Sequence, residues 1–420
     1  MGDLPLQAFH LWTLATVATV AAACALVGTL LVVRRMSLLG DAIGHAVLPG
    51  IAVAVLLGGR PGGPLVFAGA VAAALVTVWL TRVLRTQAGL ADDAGAGVVF
   101  TALFAIGIVI LSTVGARRDL DPACVLHGIL ELVPFDTVRI AGVDVPRGLL
   151  SGATVLAIVA GGLAATWKLQ VFTAFDAEAA LAAGIPVAAV TGGLLGATAL
   201  AAVAGFDVVG AVLVVALLVA PAAAAELLTR RLHVVMIVAV VLAVLGSCLG
   251  YLAAWRWNTS AAGAIAVVLG LEYLAAAVVA PGDGLVARGL SRLGYALRVA
   301  REDVLAALWR ADEAAATAAR PGSMGGWAAA AWLRATGRVV ASEGRLTLTP
   351  RGRAEAEMVV RSHRLWEAWL GRHAGLPLDH LHPPAEFVEH HLGAAMRRRI
   401  EAEVGRVEGD PHGREIPPEV

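Results

Sequence analysis

The chain has 420 residues, 59% of them hydrophobic, and a mean hydropathy of +0.79. Soluble domains are usually about 45–50% apolar, so the excess calls for a lipid-facing explanation. Lys plus Arg and Asp plus Glu balance at 32 each, so total charge favours neither a nucleic-acid partner nor an acidic one.

Charge is unevenly spread. Residues 1–280 are charge-poor and residues 285–420 are charge-rich, and such a composition break marks a domain boundary. The division expected is a membrane domain over 1–284, a short basic linker over 285–300 and a soluble domain over 301–420. A helix needs about 20 apolar residues to cross the hydrocarbon core. Candidate spans run roughly over 10–33, 43–58, 64–84, 96–114, 149–167, 186–204, 207–226, 232–254 and 261–280, about nine transmembrane helices. None of these runs alternates as barrel strands do, so the expected fold is an all-α polytopic membrane protein. The first run ends in Arg34-Arg35 and is too long for a signal peptide, so it reads as a retained span. Cys24, Cys124 and Cys248 show no paired spacing and suggest neither a disulfide framework nor a thiolate metal site.

Basic residues follow the inside ends of spans. Arg34-Arg35, Arg82, Arg85, Lys168 and Arg230-Arg231 fall at alternate span ends. They place the N-terminus outside and, with nine spans, the C-terminal domain in the cytoplasm. Arg117-Arg118 breaks the pattern, which points to a re-entrant stretch over 115–148 or a count off by one. Glu272 lies within the last apolar run, where an ionisable group implies a polar partner or a cavity.

The densest polar cluster is Arg34-Arg35-Met36-Ser37-Leu38-Leu39-Gly40-Asp41-Ala42-Ile43-Gly44-His45-Ala46-Val47-Leu48-Pro49-Gly50. Asp41 and His45 are four apart and share one face of a helix. Such a pair either binds a borderline divalent metal or uses the Asp to orient the imidazole. It is equally readable as a helix cap with a packed histidine. Two later segments stand out: Phe175-Asp176-Ala177-Glu178, continuing to Gly184-Ile185-Pro186, and Gly210–Ala223 with Pro221 inside an apolar run.

These three segments, in this order, resemble the signatures of the zinc/manganese/iron-uptake family of ABC permeases, over about residues 10–280. The resemblance implies a helical bundle that dimerises over two ATPase subunits. It implies import of divalent metal (Mn, Zn or Fe) across the plasma membrane, handed over by an extracytoplasmic binding protein, with lipid around the bundle. Asp41 and His45 become candidates for the translocation path. Phe175, Asp176, Glu178 and Gly184 become candidates for the element that couples to the ATPase. No cofactor is expected in this part. The chain has no G-x-x-x-x-G-K-[ST], so ATP hydrolysis is expected on a separate subunit and the chain itself is not expected to be an enzyme. One departure is Asn258-Thr259-Ser260 before the last span, where the family usually has an aspartate-proline-glycine turn. Another is the stretch 119–130, which follows the family only in part and includes His127.

In the soluble part, Leu346 to Pro350 reads as a short strand leading into a helix at about 352–371. A second helix is expected over about 384–407, and loop from Gly409. His363 and Glu367 are i,i+4 on the first helix. Glu386, Glu389 and His390 are i,i+3,i+4 on the second, and His382 lies just before it. Imidazole plus carboxylate suits Mn, Fe, Zn or Ni, although such residues are also common on solvated helix faces. Leu348-Thr349-Pro350-Arg351-Gly352, the His363 helix, Glu386 to His391 and Pro411-His412-Gly413 resemble the metal-sensing and dimerisation region of the iron-dependent repressor family. The resemblance implies one metal site at Glu386, Glu389 and His390, with Asp303 retained from the first helix. It implies a neighbouring site at His363, Glu367 and His382. Ala306 stands where manganese-type members carry a carboxylate. The winged-helix portion, about 311–345, looks shortened and degenerate, with only Arg334 and Arg338 on the expected recognition helix. DNA binding needs several phosphate contacts, so nucleic acid is not an expected partner. The alternative, a membrane-tethered metal-responsive transcriptional regulator, needs the competent recognition helix that is missing here.

Overall fold

The computed structural model describes residues 6–37, 40, 42, 46–59, 63–88, 92–115, 130–140, 142–282, 284–315, 323–342, 345–374, 377, 380–405 and 409–418. The chain divides into two compact units, Met1–Ala287 and Arg288–Val420.

The first unit is a bundle of apolar helices: α1 (Leu6–Val33), α2 (Leu48–Leu56), α3 (Pro64–Ala88) and α4 (Asp92–Gly115), then α5 (Arg147–Phe175), α6 (Ala177–Ala182), α7 (Val187–Val209), α8 (Ala211–Leu228), α9 (Leu232–Trp257) and α10 (Ala261–Val279). In hydrocarbon every backbone group must be satisfied within the segment, and a helix does this. Among the described residues seven helices are long and apolar enough to cross a membrane, with Ala94–Ile110 a shorter apolar helix. The expected span at 43–58 is represented by α2, whose nine residues reach about 14 Å at 1.5 Å per residue. Arg117, Arg118 and His127 lie outside the described residues. From residue 130 to 146 the chain forms a 3-10 turn at Leu130–Phe135 and a hairpin of β1 (Thr137–Ile140) and β2 (Val143–Pro146). Glu131 accepts a hydrogen bond from the Ala261 amide at 3.3 Å, placing a carboxylate at the start of α10, where it complements the helix dipole.

Helix α1 is the centre of this unit and packs against α5, α7, α8 and α9. Small residues make that possible, because close backbone approach replaces the missing hydrophobic drive in lipid. At Gly28 an added Cβ would lie 2.0 Å from the Leu218 carbonyl oxygen on α8. On the outer surface Val267, Leu271, Leu274 and Val279 of α10 are exposed, as lipid-facing side chains are. The Oε2 of Glu272 is buried with no hydrogen-bond partner among the described residues.

The second unit contains α11 (Leu285–Glu313), α12 (Met324–Ala335), a hairpin of β3 (Val339–Ser342) and β4 (Arg345–Leu348), α13 (Pro350–His373), α14 (His382–Val388), a 3-10 turn at Glu389–His391 and α15 (Ala394–Val404). Leu305, Leu308, Leu333, Val339 and Ala356 form one small core. Leu365, Ala368, Leu392, Ile400, Val404 and Ile416 form another. Three sequence expectations differ here. The stretch 285–300 is helical and continuous with α11. The single helix expected at 384–407 is broken, because Leu392 and Gly393 are extended (ψ 96° and 162°) and the Leu392 carbonyl accepts from Arg397 instead of continuing a helix. Arg338 lies beyond the end of α12, with its Nε 2.8 Å from each carboxylate oxygen of Glu355, so it is not on a recognition helix.

Candidate functional site

Asp41 and His45 lie outside the described residues. Arg34 donates to the Gln170 side chain at 2.7 Å, to Thr173 Oγ1 at 2.8 Å and to Thr191 Oγ1 at 3.1 Å. Gln170 and Thr173 are buried. One guanidinium thus ties the end of α1 to the end of α5 and the start of α7, and its planar fork allows several such bonds at once.

The segment 175–186 follows α5 directly. Asp176 breaks the helix with extended backbone (φ −146°, ψ 93°), and its carboxylate accepts from the Ala179 amide at 2.8 Å, capping α6. Gly184, at φ 79°, takes the left-handed conformation that turns the chain into α7. Phe175 is 70% exposed and Leu181 60%. Glu178 is exposed as well. The structure therefore places Phe175, Asp176, Glu178 and Gly184 on one short capped helix and its two hinges, with apolar side chains facing outward.

In the second unit, α13 carries His363 and Glu367 one turn apart and both buried. His363 Nε2 is 3.0 Å from Glu367 Oε1 and 2.8 Å from His382 Nδ1, and His382 Nδ1 is 3.0 Å from Glu367 Oε1. An ion about 2.1 Å from three mutually perpendicular ligands would hold them about 3.0 Å apart. The triangle fits a divalent cation of that size, and two imidazoles with one carboxylate suit a borderline metal. A second group joins Asp303 of α11 to the turn: His390 Nε2 is 3.2 Å from Asp303 Oδ1 and 3.6 Å from Glu389 Oε1. Glu386 is not among these convergent atoms. It lies close enough that its charge, with those of Glu389 and Glu302, helps raise the Asp303 pKa; burial is the larger cause and His390 opposes the shift.

The protons follow from these distances. Burial works against a charged His363, but hydrogen bonds to Glu367 and Glu389 outweigh it and hold its pKa above 6.5. Burial would raise Glu367, but its bonds to His363 and His382 bring it down to about 2. His363 Nδ1 lies 2.5 Å from Glu389 and Nε2 faces Glu367. When protonated, His363 donates from both ring nitrogens, and His382 Nδ1, 2.8 Å from Nε2, shares that side of the ring. A bound ion would take the place of the Nε2 proton.

Comparisons with known proteins agree with both halves of this picture. Residues 7–280 match the model of the ABC 3 transport family. The chain belongs to the ABC 3 transport family. One relative in this family is the "Manganese transport system membrane protein MntD" of Bacillus subtilis, 41% identical over 68% of this chain and 97% of that protein. Another is the "Zinc transport system membrane protein TroD" of Treponema pallidum, 35% identical over 64% of this chain and 74% of that protein. Among solved structures, PsaBC from Streptococcus pneumoniae in complex with Fab is similar with a TM-score of 0.57. It shares 26% identity and the match covers 66% of this chain and 93% of that one. The permease half is thus a multi-pass membrane protein. Residues 349–418 match the model described as iron dependent repressor, metal binding and dimerisation domain.

Sequence reading missed three participants. Glu302 accepts from or donates to His390 Nδ1 across 2.7 Å, according to which of them carries the proton. His412 Nδ1 stands 3.8 Å from Glu367 Oε2, and Asp410 belongs to the same group. Asp410 also accepts from the His412 and Arg414 amides at 2.9 and 2.8 Å, which shapes the tail turn. The i,i+1 spacing of Glu302 and Asp303 carries a signal for the first, since both precede a buried helical stretch. Nothing local brings residues 410–412 to Glu367.

Proposed function

We propose that this chain is the permease subunit of an ATP-driven importer of divalent transition-metal ions (manganese, zinc or iron) in the plasma membrane. The observation that carries the reading is the family match over residues 7–280 with 41% identity to a manganese transport system membrane protein. ATP hydrolysis belongs to a separate ATPase subunit, and an extracytoplasmic binding protein delivers the metal. Two copies of the bundle pair, with lipid around them, and metal passes between them by alternating access. Asp41 and His45 contact it on the way. The capped helix α6, with Phe175, Asp176, Glu178 and Gly184 and an exposed Leu181, is the coupling element seated on the ATPase.

The second unit, on the cytoplasmic side, acts as a metal sensor that slows transport. His363, Glu367 and His382 would hold one divalent ion. Asp303, Glu389 and His390 would hold another, with Glu386 close by. Each ion would supply a positive charge that draws carboxylates and imidazoles from different elements together. Regulation of transcription is disfavoured, since α12 carries Arg334 as its one basic residue.

The test is uptake of Mn, Zn and Fe by cells that carry this chain with its ATPase. Uptake of at least one metal that needs both subunits supports the permease reading, and uptake independent of the chain sinks it. Deleting residues 285–420 should raise uptake at high internal metal. Equal uptake by the full and shortened chains would remove the sensor role while leaving the permease in place.

A further inference from the structure

Helix α11 has two parts of different character. From Leu305 onward it packs into the soluble core, with Leu305, Ala306 and Leu308 buried. Before that, Leu285, Val286, Leu290 and Leu293 are all more than half exposed, and Leu297 is 38% exposed. At about 100° per residue, Val286, Leu290, Leu293 and Leu297 fall on one narrow stripe. The side chains that dock on the rest of the unit leave the opposite side. Tyr295 Oη lies 2.9 Å from His391 Nε2, Arg298 donates to the His390 carbonyl, and Glu302 meets His390. The apolar stripe therefore has no occupant among the described residues.

Two observations say what covers it. The stripe begins at Val286, seven residues after Val279, the end of α10, an apolar helix long enough to cross a membrane with Val267, Leu271, Leu274 and Val279 exposed. It is thus continuous in sequence with a lipid-facing surface. Second, residues 285–301 hold Arg288, Arg292, Arg298 and Arg301 and no Asp or Glu. Arg288 and Arg292 lie on the side of the helix away from the stripe, which makes that side its polar face. A helix with an apolar face and an arginine-bearing polar face is built to lie in the plane of a bilayer surface, and a basic segment just after a span is attracted to anionic headgroups.

We infer that residues 285–297 are an interfacial helix, with Val286, Leu290, Leu293 and Leu297 sunk into the lipid surface and Arg288 and Arg292 at anionic headgroups. The occupant is the bilayer, not a second copy of the chain. This assignment does not depend on what the permease carries.

The test uses the full chain, with its three cysteines replaced, in phosphatidylcholine nanodiscs with and without phosphatidylglycerol. A nitroxide is placed in turn at Leu290, Leu293, Arg288 and Arg292, all outside the buried core. At 290 and 293, collisions with oxygen should exceed those with a water-soluble nickel chelate, and the order should reverse at 288 and 292. Phosphatidylglycerol should strengthen the contrast. Equal access of the nickel chelate at all four positions would overturn the inference. Dipolar broadening between copies at 290 and 293 would also overturn it, in favour of a helix pair.

Discussion

Glu389 holds one carboxylate oxygen 2.5 Å from Nδ1 of His363 and the other 3.6 Å from Nε2 of His390. One side chain on the 3-10 turn thus joins two ligand groups carried by α11, α13 and α14. It can orient His363 through the nitrogen that faces away from the first group, as outer carboxylates do for metal-bound histidines. Arg310, 3.6 Å away, shares the charge of Glu389.

Glu389→Gln should therefore weaken both sites together. The loss of a carboxylate that orients a ligating histidine costs about 10–100-fold in metal affinity. Titration of the purified chain against a competing chelator would read the loss. A change confined to one binding step would show that Glu389 serves only one group.

Affinity should also depend on pH in a defined direction. A protonated His363 cannot ligate through Nε2, and its pKa lies above 6.5 because Glu367 and Glu389 overcome the cost of burial. Above that raised value the proton offers no competition. As pH falls through it, His363 should contribute about a tenfold loss of affinity per unit. Glu367, at about 2, stays ionised throughout and adds nothing to the slope. The check is metal affinity between pH 5 and 9, and Glu367→Gln should move the fall to lower pH.

The membrane half was readable because span length and apolar content are local properties, as in α1, α5 and α9. Helix caps are local as well. Asp176 and Thr349 each precede a helix and accept from an amide three residues on. What escaped is non-local. Residues 285–300 read as a basic linker on Arg288 and Arg292, while the helix they share with 301–313 is anchored by Leu305 and Leu308 in the soluble core. The break at Leu392-Gly393 comes from tertiary packing of Leu392 into a core with Leu365 and Ile416. His412 reaches Glu367 only because Arg361 and Arg364 of α13 hold the tail, through the carbonyls of Pro417 and Glu415.

Arg34 offers a test inside the membrane half. Its guanidinium serves Gln170, Thr173 and Thr191 together, and a lysine ammonium on a flexible stem lacks that planar fork. Arg34→Lys should loosen the junction of α1, α5 and α7 by about 1.5–3 kcal/mol, the worth of a hydrogen bond to a charged group. The expected readouts are a lower melting temperature and slower metal uptake at normal membrane abundance. Thr191→Ala, which removes one bond of the set, should have a smaller effect in the same direction.

The coupling role of α6 can be separated from its charge. Asp176→Ala removes the acceptor for the Ala179 amide and should cost about 1 kcal/mol of local helix stability. If the shape of α6 matters, uptake falls while abundance holds. Asp176→Asn keeps a capping oxygen of equal rank and should restore uptake. If Asp176→Asn fails as badly as Asp176→Ala, the carboxylate charge itself is needed, and the cap is not the reason for Asp176. Gly184→Val should fail for a different cause, because φ 79° strains a β-branched residue whatever the space around it. Its defect should appear in folding and abundance before it appears in transport.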